Sequence, residues 1–156
     1  MFNMFHKKDS SIDKDFFTKY NWLEAGDPES NSYIVPESGN RFRWYNDKNV
    51  TDNYYHSGSY ELYVGSEGID YILNNLSEYG MTREAFDRMI REGAHYHEDN
   101  FICLVLNNEE TIINGENVLK EVVTTPYYGF YVVVGDDKNL VLLNMKTTNY
   151  YVFIPG

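Results

Sequence analysis

The sequence predicts an α+β fold: an antiparallel β-sheet with a helical hairpin and an N-terminal helix packed mainly on one face. Three observations predict it. First, Tyr128 to Val134, Leu140 to Met145 and Tyr150 to Ile154 are apolar runs too short for a typical helix and rich in β-branched and aromatic residues. Polar turns at Gly135-Asp136-Asp137-Lys138-Asn139 and Lys146-Thr147-Thr148-Asn149 separate them. Second, Ile69, Ile72, Leu73 and Leu76 form one apolar stripe behind the capping residue Ser66. Third, Tyr128, Phe130, Val132 and Val134 share one strand face while Tyr131 and Val133 take the other, so both faces need cover.

In chain order, Phe16, Tyr20 and Leu23 at helical spacing behind Ser10 and Asp13 predict a first helix from Ile12 to Leu23, ended by Gly26-Asp27-Pro28. Asn31 to Val35 and Arg41 to Tyr45 flank the turn Pro36-Glu37-Ser38-Gly39-Asn40 as a hairpin, with Phe42 and Trp44 inward and Arg41 and Arg43 toward water. Asn46 to Ser59 reads as a long polar loop and Ser59 to Val64 as a strand. Gly80 ends the helix that starts at Ser66. A second, from Thr82, places Phe86, Met89 and Ile90 on its inner side and completes the hairpin that covers the sheet. Phe101 to Leu106 is then a strand, Asn107-Asn108-Glu109-Glu110 a turn, Thr111 to Ile113 a short strand, and Asn114-Gly115 a hairpin turn to Val118–Thr124.

At 156 residues the chain fits a single domain spanning 1–156, with 1–10 as a candidate mobile terminus. A domain of that size buries about 70% of the surface its unfolded chain exposes, so it needs no staples. The lone Cys103, among Phe101, Ile102, Leu104 and Val105, reads as a small apolar filler in a reducing compartment. No run reaches membrane-spanning or signal-peptide length, which predicts a cytoplasmic protein.

Net charge is −11, and no basic residue occurs between Lys48 and Arg83 or between Arg91 and Lys120. Direct nucleic-acid binding is disfavoured, because phosphate contacts need clustered Lys and Arg. A basic protein would instead be drawn in.

Chemical motifs are sparse. His95 and His97, two apart and followed by Glu98 and Asp99, have the residue types of a metal or proton-transfer cluster, but lack an HExxH helix, cysteine ligands and a definable third ligand. His56 beside Ser57 and near Asp52 lacks a nucleophile elbow. Neither GxxxxGK[ST] nor GxGxxG occurs, so no cofactor or metal is expected. Lys146-Thr147-Thr148-Asn149-Tyr150-Tyr151-Val152-Phe153 resembles the terminal strand of barnase-type microbial ribonucleases, whose pattern runs Lys-Thr-Thr-Asp-His-Tyr. That family's general-acid histidine is here Tyr150, a poor proton donor at neutral pH, so the resemblance carries over no activity.

Fifteen tyrosines, paired at Tyr54-Tyr55, Tyr127-Tyr128 and Tyr150-Tyr151, are the remaining unusual feature. Tyr127, Tyr131, Tyr150 and Tyr151, with Asp136, Asp137, Glu109 and Glu110, are the candidate partner-binding set: rings to stack on basic side chains and carboxylates to neutralise them. The expected function is non-enzymatic: an immunity or antitoxin-type inhibitor of a basic bacterial toxin such as a nuclease. The alternatives are a phage or plasmid anti-defence protein that mimics nucleic acid, and a small hydrolase or nuclease using His56, His95 and His97. An exposed edge strand would equally support a homodimer.

Overall fold

A computed structural model describes residues 14–75, 78, 82–85, 87–88, 102–121, 126–134, 136–144, 146–147 and 149–156. The strands are β1 (Trp22–Glu24), β2 (Tyr33–Glu37), β3 (Arg41–Tyr45), β4 (Tyr54–Val64), β5 (Ile102–Ile113), β6 (Glu116–Asn117), β7 (Tyr127–Val134), β8 (Asp137–Asn144) and β9 (Tyr150–Pro155). Helix α1 (Gly65–Asn75) follows β4, and a 3-10 turn, Leu119–Glu121, follows β6.

All pairings are antiparallel, and the order β4-β3-β2-β1-β9-β8-β7-β5 closes because β4 also pairs along its whole length with β5. The result is an eight-stranded up-and-down barrel with β6 attached to the end of β5. Closure satisfies the backbone groups that an open sheet leaves at its edges.

This corrects the expected α+β layer with helices on one face. Among the described residues 14–23 the first predicted helix is absent. Residues 14–19 form turns, and Leu23 lies in β1, whose three residues bridge β2 and β9. The helical spacing of Phe16, Tyr20 and Leu23 was coincidental. Phe16 and Phe17 are adjacent and both fully buried, an arrangement suited to a plug, since consecutive helical positions do not share a face.

The predicted turn at Asn107 to Glu110 is also overturned, because β5 runs unbroken through it, and the predicted loop at Asn46 to Ser59 is shortened to residues 46–53, because β4 begins at Tyr54. Of the second predicted helix, residues 83–85 and 87–88 are helical, while Phe86, Met89 and Ile90 lie outside the described residues. Residues 1–13 and 122–125 also lie outside them, including the last three residues of the expected Val118–Thr124 strand, of which Leu119–Glu121 forms the 3-10 turn.

Two apolar clusters divide along the wall. The larger is the lumen: Phe16, Phe17, Trp22, Ile34, Phe42, Leu104, Leu140, Leu142 and Phe153, with Tyr131 stacked on Phe16 at 4.2 Å. Trp22 Nε1 donates to the Phe17 carbonyl at 3.0 Å and fixes the plug against β1. The smaller cluster lies outside, where Ile72 of α1, with Ile69 and Leu73 beside it, covers Cys103, Val105, Tyr128, Phe130 and Leu143. The two-sided apolar character of β7 therefore has two causes, the lumen within and α1 without. Cys103 sits under that helix, and burial pushes its thiol pKa up.

Candidate functional site

The lumen changes character along its length. In an up-and-down barrel, the ends of odd and even strands alternate between the two rims. One rim holds the plug and the other the loops β1–β2, β3–β4 and β8–β9. Toward the plug the inward residues Trp22, Ile34, Phe42, Leu104, Leu140, Leu142 and Phe153 are no more than 1% exposed. Toward the opposite rim the same inward positions hold Glu24, Trp44, His56, Asn108, Tyr127 and Tyr151, all only half-buried. This half-open mouth is the candidate site.

Trp44 forms its floor. From β3 its ring crosses the lumen to meet Tyr127 of β7 at 4.9 Å and Phe153 of β9 at 5.7 Å between centroids, both edge-on. Its Nε1 donates to Ser32 Oγ at 2.7 Å, which satisfies the one polar atom of the indole. Below it the lumen is apolar and above it polar.

A β-bulge sets the polar wall. The β4–β5 register shifts between Ser57 and Gly58: Ser57 faces Glu110 and Gly58 faces Asn108, which leaves Glu109 as the extra residue. The shift changes the parity of β5, so Asn108 and Thr111 both face inward and Thr111 is 1% exposed. Gly58 is required here, because a Cβ at that position would run into the carbonyl oxygen of Asn107.

Asn108 Nδ2 donates to Thr111 Oγ1 at 2.8 Å, and Thr111 Oγ1 lies 2.8 Å from His56 Nδ1. Burial lowers the His56 pKa, so its ring is neutral at neutral pH. Its Nδ1 faces the Thr111 hydroxyl and, at 3.3 Å, the side-chain amide of Asn108. Asn108 Oδ1 is buried without a hydrogen-bond partner.

On the facing wall Glu24 accepts from Ser30 Oγ at 2.8 Å. Burial, then Tyr127, then the Glu24 carboxylate hold the Tyr151 phenol above its ordinary pKa, so it stays protonated. The mouth thus offers three aromatic rings, a carboxylate, an amide oxygen and neutral hydrogen-bonding groups.

The eight residues predicted for partner binding do not assemble. Tyr127, Tyr131 and Tyr151 point into the lumen, while Tyr150 is 66% exposed on the outer wall. Asp136 and Asp137 lie at the plugged end and Glu109 and Glu110 beyond the middle of β5, roughly 30 Å away along the strands. Glu109 is engaged by this chain's own Arg41 at 3.1 Å.

Ser57 faces the outer wall, opposite Glu110, so it forms no catalytic set with His56. His95 and His97 lie outside the described residues, among which no three His, Cys, Asp or Glu groups gather to hold a metal. Glu24, Trp44, Asn108 and Thr111 went unrecognised as site residues. A parity count along β1 and β3, from Trp22 to Glu24 and from Phe42 to Trp44, was the available signal. Comparison with known protein families, characterised proteins and solved structures finds no match.

Proposed function

We propose that this is a non-enzymatic binding protein that takes a small molecule into the half-open end of its barrel. The observation that carries the reading is the gradient along one inward surface, from fully buried apolar side chains at the plug to half-buried aromatic and polar ones at the mouth. Eight-stranded barrels have interiors just wide enough for side chains or one small ligand. Small-molecule sites combine aromatic walls with a few converging polar groups, as at Trp44, Tyr127, His56 and Asn108. The analogy with other barrels concerns architecture alone.

Recognition of a basic toxin by an acidic, tyrosine-rich face has less support, since the rings and carboxylates it needs lie on different surfaces. No helix among the described residues is long and apolar enough to cross a membrane. The outer wall carries Glu37, Arg41, Arg43, Glu61 and Glu109, some in ion pairs, where a lipid-facing barrel needs an apolar band. With the lone buried cysteine, this supports a cytoplasmic location.

The adjacent pair Tyr150-Tyr151 tests the reading, because one ring faces out and the other in. A fragment screen by ligand-observed NMR is expected to give hits that Tyr151→Ala weakens and Tyr150→Ala leaves unchanged. Hits sensitive only to Tyr150 would place the binding surface outside and contradict it.

A further inference from the structure

We infer that the ligand of the mouth is a small organic cation, an amine or quaternary ammonium group held between Trp44, Tyr127 and Tyr151 with Glu24 as its counter-charge. The inference rests on the lumen being the binding site and adds the chemistry of what binds there.

Trp44, Tyr127 and Tyr151 come from β3, β7 and β9, so they surround a point in the mouth instead of lining one wall. The faces of aromatic rings are negative and their edges positive, and it is the faces, set around a centre, that hold ammonium groups in aromatic cages. Glu24 lies on the same inward face as Trp22, and its charge is felt at the Tyr151 phenol. Among the described residues no lysine or arginine pairs with Glu24, whose carboxylate accepts from Ser30. A half-buried carboxylate with no cationic partner attracts a cation that reaches it.

The outer wall supplies a contrast. There the chain covers its own tyrosines with cations, Arg43 over Tyr55 at 5.1 Å and Lys48 over Tyr33 at 5.9 Å. The rings of the mouth have no such cover among the described residues. His56, also on the lumen wall, is held neutral by burial and does not oppose a cation at neutral pH. The rim loops carry more carboxylates, among them Asp27, Glu29, Asp47 and Asp52, than lysines (Lys48, Lys120 and Lys146), so the field at the entrance favours positive solutes.

Three solutes of one shape isolate the charge: choline, its neutral carbon isostere 3,3-dimethylbutan-1-ol, and the anion 3,3-dimethylbutanoate. Titrations followed by the indole N–H resonances of Trp44 and Trp22 are expected to shift Trp44 alone. Choline should bind roughly tenfold more tightly than the alcohol, the anion not measurably, and Glu24→Gln should remove the difference. An unchanged Trp22 resonance in Glu24→Gln certifies the fold.

If the alcohol binds as well as choline and Glu24→Gln changes nothing, the cation assignment is overturned while the lumen remains the site. If no solute perturbs Trp44, and a broader set of neutral fragments fails as well, both the cation and the lumen reading fall.

Discussion

His56 shows how one side chain reports on the surroundings it is placed in. Its ring touches Trp44 and Tyr54 edge-on, and its Nδ1 faces Thr111, with Asn108 at longer range. No carboxylate is among these contacts, so burial dominates and the folded pKa lies below the ordinary value of 6.5. The sign follows from proton counting. Above pH 6.5 the ring is neutral in both states and contributes no pH dependence. As pH falls below 6.5 the unfolded chain takes up a proton that the folded chain refuses, so stability declines until the folded ring also titrates. Denaturant midpoints between pH 7.5 and 5 should therefore fall more steeply for the natural chain than for His56→Gln. Parallel slopes would show that His56 is not desolvated as described.

At the scale of elements, the bulge between β4 and β5 governs the site. Gly58→Ala would force a Cβ onto the Asn107 carbonyl and should cost roughly 1–3 kcal/mol, the range for overpacking. It should also move the Trp44 indole resonance, because His56 stands between the bulge and that ring. A neutral Gly58→Ala, by midpoint and by resonance, would mean that the register does not shift there.

The bulge also explains what could be read in advance. The strands β7, β8 and β9, the Gly39-Asn40 and Asn114-Gly115 turns with their positive φ, and the apolar side of α1 all follow local rules. The upper halves of β4 and β5 did not, because their inner faces turn from apolar to polar where the lumen opens. Asn107-Asn108-Glu109-Glu110 has turn composition yet pairs as strand, since β4 supplies a complete ladder partner. The residues that made these strands illegible are those that build the site.

For the molecule as a whole, closure and plug act together. The circuit depends on β1, whose three residues join β2 to β9, and on Phe16 and Phe17 beneath it. Phe16→Ala should destabilise by about 3–5 kcal/mol, since Trp22, Phe17 and Tyr131 surround the ring and cannot collapse into its volume. Tyr150→Ala on the outer wall should cost well under about 1 kcal/mol, as for exposed positions in general. A comparable loss for both, by chemical denaturation, would deny that the core lies within the barrel. Such closure cannot be inferred from strand patterns alone, because it depends on which strand meets which.

The central claim, a barrel sealed at one end and accessible at the other, reduces to a comparison of two indoles. Trp22 lies behind the plug and Trp44 on the floor of the mouth. In an NMR titration with a small soluble paramagnetic agent, the Trp44 Nε1–H signal is predicted to broaden while the Trp22 signal persists. Equal protection of both would contradict an open mouth, and equal broadening would contradict the plug.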